Sequence, residues 1–133
     1  MTAVIDSSVL VAALVDTGAD GVWAEKILAG GSLHAPEQIL VEATNILRRL
    51  ELARQITTLE ANSAHDDLMQ LHLELLPFEP FAERVWALRY TITSYDAWYV
   101  AVAEALRLPL ATLDRRLCKA KGPNCDFLSP HGS

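Results

Sequence analysis

Four acids in this chain stand where acids are least expected. Asp6 directly follows the apolar run Ala3-Val4-Ile5. Glu42 lies among Leu40, Val41, Ala43 and Ile46, at the edge of an apolar helical face. Asp96 falls in the first turn of a helix that Ser94 can begin. Asp114 follows the run Leu110-Ala111-Thr112. Carboxylates gathered in one cleft raise each other's pKa, and burial adds a desolvation cost. A fold that tolerates this usually has a compensating cation, and all-oxygen ligands suit Mg²⁺ or Mn²⁺ better than zinc. The chemistry such a centre supports is metal-assisted hydrolysis. Each acid also has a simpler reading. Asp6 can be a turn residue or N-cap, Asp96 and Asp114 can favour helix N-termini, and Glu42 can pair with Arg49 or Asn45. Ser7, Ser8 and Thr112 stand beside the acids and suit either metal-bound water and substrate or ordinary capping.

The elements that must position these acids alternate between strand and helix. Ala3 to Ile5 reads as a strand, and Ser8 to Leu14 as a helix capped by Ser7 or Ser8. A second helix begins at Asp20 and ends at Gly30-Gly31. Leu33-His34-Ala35 is a second strand, after which Pro36 opens a long helix through Ile39, Ala43, Ile46, Leu47 and Leu50. Thr57 or Thr58 caps the next helix, which runs to about Met69. Leu73 to Leu76 is a strand, and Phe81 to about Tyr90 a helix. Ser94 caps a helix carrying Ala97, Val100, Ala101 and Ala105. Leu110 to Thr112 is a strand, Asp114 to Lys119 a helical turn, and Phe127-Leu128 an edge strand. This order predicts an α/β fold with a parallel sheet covered by helices on both faces. Asp6 and Asp114 then point to the same end of the sheet, where such folds bind ligands.

All 133 residues read as one domain. The net charge of −6 alone argues against a nucleic-acid binder, although acids concentrated at one site can produce it. Arg115, Arg116, Lys119 and Lys121 follow Asp114, and Arg48, Arg49 and Arg54 follow Glu42. Both stretches can meet phosphates or simply favour helix C-termini. Trp23, Trp86, Trp98 and Tyr99 read as packing or interface residues, and the helices around Trp23 and Leu47 are a candidate partner surface. His34, His65, His72 and His131 show no metal-ligand spacing with the acids. Cys118 and Cys125 read as reduced thiols of a cytoplasmic protein, with a disulfide closing that short loop as the alternative. No signal peptide and no membrane span are expected.

The segments around the four acids resemble the PIN-domain family. The opening Asp6-Ser7-Ser8-Val9-Leu10-Val11-Ala12-Ala13-Leu14 looks like the first motif of that family. Val41-Glu42-Ala43-Thr44-Asn45-Ile46-Leu47-Arg48-Arg49 is similar to the second. Ser94-Tyr95-Asp96-Ala97-Trp98-Tyr99-Val100-Ala101-Val102-Ala103 resembles the third and most specific, and Thr112-Leu113-Asp114-Arg115-Arg116-Leu117 the last. The short single-domain form looks like the VapC toxins of bacterial toxin–antitoxin pairs. The resemblance implies a three-layer α/β/α fold and Mg²⁺-dependent endoribonuclease activity. It also implies a cognate antitoxin over the active site, and commonly a homodimer. Carried over by motif, Asp6, Glu42, Asp96 and Asp114 would be catalytic. Of these, Asp6, Asp96 and Asp114 would hold metal, while Ser8, Thr112, Arg115 and Arg116 would meet RNA. Many relatives carry a further acid or asparagine two positions past the last aspartate. Here that residue is Arg116, so no fifth acidic ligand carries over.

Two other readings compete. A phosphatase using Asp6 as nucleophile would need an acid where Ser8 stands and a lysine at a strand end, and neither is present. A non-catalytic binding module would use the acids only as caps.

Overall fold

In the computed structural model, which describes residues 1–130, five short parallel strands form the central sheet. They are β1 (Ala3–Ile5), β2 (Leu33–Pro36), β3 (Glu74–Leu76), β4 (Leu110–Ala111) and β5 (Phe127–Leu128). The helices are α1 (Ser7–Val15), α2 (Ala19–Ala29), α3 (Ile39–Leu52), α4 (Thr58–Gln70), α5 (Ala82–Ala87), α6 (Ser94–Leu106) and α7 (Arg115–Lys119). A 3₁₀ turn over Glu79–Phe81 leads into α5. Among the described residues, no helix is long and apolar enough to cross a membrane. His131 lies outside the described residues.

The strand order is β3-β2-β1-β4-β5. The chain winds outward from β1 through β2 to β3, then returns to lay β4 on the opposite side of β1. Ala3 pairs with Leu33, and Ile5 with Ala111. The reversal of direction falls between β1 and β4, the switch point at which open parallel sheets leave a crevice at their carboxyl ends. Helices α1 to α4 pack on one another to form one layer. Helix α6 lies against β1, β2 and β4 and carries α5 with it. This is the expected three-layer α/β/α arrangement.

The strands β1 and β4 are closed to solvent on both faces, which is why they read as unbroken apolar runs rather than alternating ones. Helix α6 buries Ala97, Tyr99, Val100, Ala101, Val102 and Ala103, so its small residues let it lie close on the sheet. Behind it, Arg84 of α5 makes a two-pronged bridge to Glu104, at 2.7 and 3.1 Å. Glu104 also accepts the amide of Asn124 at 2.7 Å, which ties the approach to β5 down to α6.

Several boundaries differ from expectation, each for a local reason. Pro36 ends β2 rather than opening the long helix. Pro36 pairs with Leu76 in the ladder, the next amide, Glu37, donates to Leu76, and α3 starts only at Ile39. The helix expected through Tyr90 ends at Ala87. The cap of α1 is Asp6, not Ser7 or Ser8, and that of α6 is Thr93, not Ser94. Helix α4 has a capping box between Thr57 and Glu60. Leu47 is buried and Trp23 half-buried, while the helices around them expose Val22, Val41 and Leu52. Cys118 and Cys125 are both free and partly buried. Burial, with Glu104 nearby, pushes the Cys125 thiol up to about 11.

Candidate active site

Asp6 is the first residue past β1 and is only 7% exposed. Every oxygen it carries is engaged. Oδ1 accepts the Ser8 hydroxyl at 2.5 Å and the Val9 amide at 3.1 Å, which caps α1. Oδ2 accepts the Thr112 hydroxyl. Thr112 in turn accepts the Asp114 amide at 3.0 Å, and Ser8 accepts the Leu113 amide at 3.1 Å. Two hydroxyls thus clamp the end of β1 to the segment that leaves β4.

Asp114 caps α7, its Oδ1 accepting the amides of Arg116 at 2.9 Å and Leu117 at 3.3 Å. Asp96 sits in the first turn of α6, where Thr93 takes the capping duty and leaves the partly buried aspartate to line a cleft. Glu42 pairs with neither Arg49 nor Asn45. Its Oε1 accepts the hydroxyl of Tyr99 at 2.5 Å, a bond between α3 and α6.

The four acids share one electrostatic environment. Burial raises the pKa of Asp6 most, and the charge of Asp96 adds to it, against the opposing bonds from Ser8, Thr112 and Val9. Burial likewise raises Glu42, with Asp96 and Asp6 both adding to the rise and Tyr99 resisting it. Asp96 is raised by burial and then by Asp114, with Thr93 and Arg116 opposing. The Tyr99 phenol is pushed far above its ordinary value by burial and by Glu42, so it stays a donor.

Among the described residues, no group of three or more His, Cys, Asp or Glu side chains is drawn together as a finished metal cage. Asp6 and Asp114 spend oxygens on helix caps. The donor set nonetheless fits a hard divalent cation. It is all oxygen, partly desolvated, and carries crowded negative charge that such an ion would relieve.

The cleft, of about 530 Å³, is lined by Asp96, Asp114, Arg116, Thr93, Tyr90 and Arg89 among others, and by neither Asp6 nor Glu42. Arg116 reaches it, whereas Arg115 is exposed but does not line it. Arg48 and Arg49 are exposed toward the far end of α3, well past Glu42 in its first turn. Thr112 is fully buried, so it positions Asp6 rather than facing a substrate, and both roles of the Ser8 hydroxyl are filled internally. Sequence reasoning missed Tyr99 as the partner of Glu42, and Arg89 and Tyr90 as cleft residues.

The PIN domain family model matches residues 3–123. The chain belongs to the PIN-domain family. Its VapC-type character is equally plain. Ribonuclease VapC1 of Mycobacterium tuberculosis is 37% identical over 125 residues, covering 93% of this chain and 94% of that protein. Among solved PIN-domain structures, M. tuberculosis VapC20, described as a sarcin–ricin loop cleaving toxin, superposes with a TM-score of 0.66 at 15% identity. That match covers 90% of this chain and 94% of the other. VapBC-5 of M. tuberculosis, described as a member of the VapBC family of toxin–antitoxin systems, gives 0.58 at 21% identity, over 96% and 98%. These structural likenesses speak for the fold. The three-layer architecture agrees with these structural neighbours.

Proposed function

We propose that this protein is a metal-dependent endoribonuclease acting as the toxin of a toxin–antitoxin pair. The observation that carries the reading is the placing of Asp6 and Asp114 just past β1 and β4 at the switch point of the sheet, with Asp96 and Glu42 electrostatically coupled to Asp6. The pKa values of Asp6, Glu42 and Asp96 are raised there by burial and by neighbouring acids, and Asp96 and Asp114 line a cleft with Arg116. The naming of the similar VapC1 as a ribonuclease supports it. Asp6, Asp96 and Asp114 would hold Mg²⁺, for which Mn²⁺ can substitute. The bound ion would lower the pKa of water and stabilise charge developing on the phosphate.

The chain's own residues do the rest. Ser8 and Thr112 fix both oxygens of Asp6, so its orientation is set before substrate arrives. Tyr99 fixes Oε1 of Glu42, and Glu42 takes the proton from the attacking water. Arg116, on the cleft wall, meets a phosphate next to the cleaved bond. An antitoxin would regulate the enzyme by covering the cleft, with a homodimer or a toxin–antitoxin complex as the assembled form. The description of VapBC-5 as a toxin–antitoxin system supports this.

The test is incubation of total RNA with purified protein in Mg²⁺, Mn²⁺ or EDTA, comparing wild type with Asp96→Asn. Discrete cuts that need metal and vanish in the variant are expected. Intact RNA in every lane, with no heat of metal binding by calorimetry, would leave a non-catalytic PIN-like module.

A further inference from the structure

Next to the acid cleft lies a feature that the carboxylate chemistry does not use. The guanidinium of Arg89 sits 4.2 Å from the ring centre of Trp86 and 4.2 Å from that of Tyr90, so the cation is stacked against both. Its edge is also pinned, donating to the Trp86 carbonyl at 2.8 Å and to the Tyr90 hydroxyl at 2.6 Å. The group is therefore ordered, yet it is outside the core. Trp86 is 66% and Tyr90 81% exposed. Helix α5 and its last turn bury Val85 and Leu88 and leave the large aromatics in water. Exposing two rings in an ordered stack forgoes the burial that aromatic side chains normally gain.

We propose that Trp86, Arg89 and Tyr90 form a platform on which an unpaired base of single-stranded RNA stacks as the strand enters the cleft. The proposal rests on the reading of that cleft as a ribonuclease site. Continuity favours RNA as the occupant. Arg89 and Tyr90 line the same cleft as Asp96, Asp114 and Arg116. A strand whose base rests on Tyr90 would thus have its backbone directed between two arginines toward the acids. Neutral aromatic faces accept any base, while the central cation strengthens stacking and attracts phosphate. Such a platform needs an unstacked base, so it selects single strands and loops over duplex. A protein partner would also suit Trp, Tyr and Arg, and the experiment separates the two.

The test uses the full chain in EDTA, which withholds metal from the acids, with a short fluorescent single-stranded RNA of mixed sequence as probe. The same sequence as a duplex is the comparison. Wild type, Tyr90→Ala, Tyr90→Phe and Trp86→Ala are titrated after circular dichroism has shown each to be folded. Tyr90→Ala is expected to weaken single-strand binding about ten-fold with the salt slope unchanged, and Tyr90→Phe to keep most of the affinity. Duplex affinity should be weak and insensitive to Tyr90. Single-strand affinity that is the same in all four proteins would overturn the platform. So would loss of self-association in Tyr90→Ala without loss of RNA affinity, which would make the stack a protein contact. Tyr90-dependent binding by a wild-type protein that cuts no RNA would keep the platform and remove the catalytic reading instead.

Discussion

The hydroxyl of Thr112 donates to Oδ2 of Asp6, joining residues 106 positions apart at the ends of β4 and β1. The Thr112 hydroxyl oxygen in turn accepts the amide of Asp114. One buried hydroxyl therefore sets two of the four acids, and it has no solvent to fall back on.

Thr112→Val keeps the shape and removes that hydroxyl. Asp6 loses a donor, and the Asp114 amide loses its acceptor. Leaving such buried groups unpaired costs about 1–3 kcal/mol. The expected outcome is a lower urea midpoint together with weaker Mg²⁺ affinity, and Thr112→Ser should restore both. Unchanged metal affinity in Thr112→Val would show that Asp6 needs no help from β4.

The crowding of the acids predicts the pH dependence of the metal-free protein. Asp6, Glu42 and Asp96 all have folded-state pKa values raised above their ordinary values of 3.8, 4.5 and 3.8, chiefly by burial. The folded chain then binds more protons than the unfolded chain in the range above those values. The stability these groups contribute is fully present below the ordinary values and is lost as pH rises through the folded ones. In EDTA, Asp96→Asn should gain stability relative to wild type as pH climbs from about 4 toward neutrality. Saturating Mg²⁺ should reverse the ranking at neutral pH, because only the wild type binds it well. Parallel stability curves in EDTA would mean that Asp96 feels no such strain.

Tyr99→Phe tests the role of Glu42. The Tyr99 bond holds the Glu42 pKa down against burial and its acidic neighbours. Without it Glu42 gains its proton at a higher pH, so the acidic limb of the kcat/KM profile should move upward. The fold should tolerate the change, since the ring stays in place. A profile identical to wild type would remove Glu42 from the proton transfer.

Arg116 and Arg115 are adjacent in sequence but not equivalent. Of the two, Arg116 lines the cleft and Arg115 does not. Arg116→Gln should weaken RNA binding and lower the slope of log affinity against log salt by about 0.7, the value for one single-strand phosphate contact. Arg115→Gln should leave the slope unchanged. Equal effects would place the strand across the outer face of α7 instead.

Asp6 and Asp114 were legible in the sequence because each follows a short apolar run, and parallel strands send their carboxyl ends the same way. The other pairings came from tertiary packing. Glu42 and Tyr99 are 57 positions apart, and helical periodicity says nothing about which side chain of α6 will meet α3. The capping residues were misplaced by one or two positions because Asp6, Ser7 and Ser8 are all good caps, and only the loop geometry chooses among them. Trp86 did carry a usable signal. Phe81, Val85 and Leu88 have the spacing of one buried face, which turns Trp86 away from it. Arg89 and Tyr90 lie beyond the end of α5, where periodicity no longer applies.

The double duty of Asp6 also bears on how this chain can drift. Asp96 caps nothing, so a lineage with no further need of the chemistry can replace it at little cost to folding, whereas Glu42 accepts the hydroxyl of the buried Tyr99. Asp6 caps α1 and receives two hydroxyls and an amide. Among its replacements, asparagine preserves the cap best, and larger or apolar ones would loosen the junction of β1 with β4. Descendants that have gone silent should therefore show varied residues at position 96, hydrogen-bond acceptors at position 42, and a narrow, polar choice at position 6.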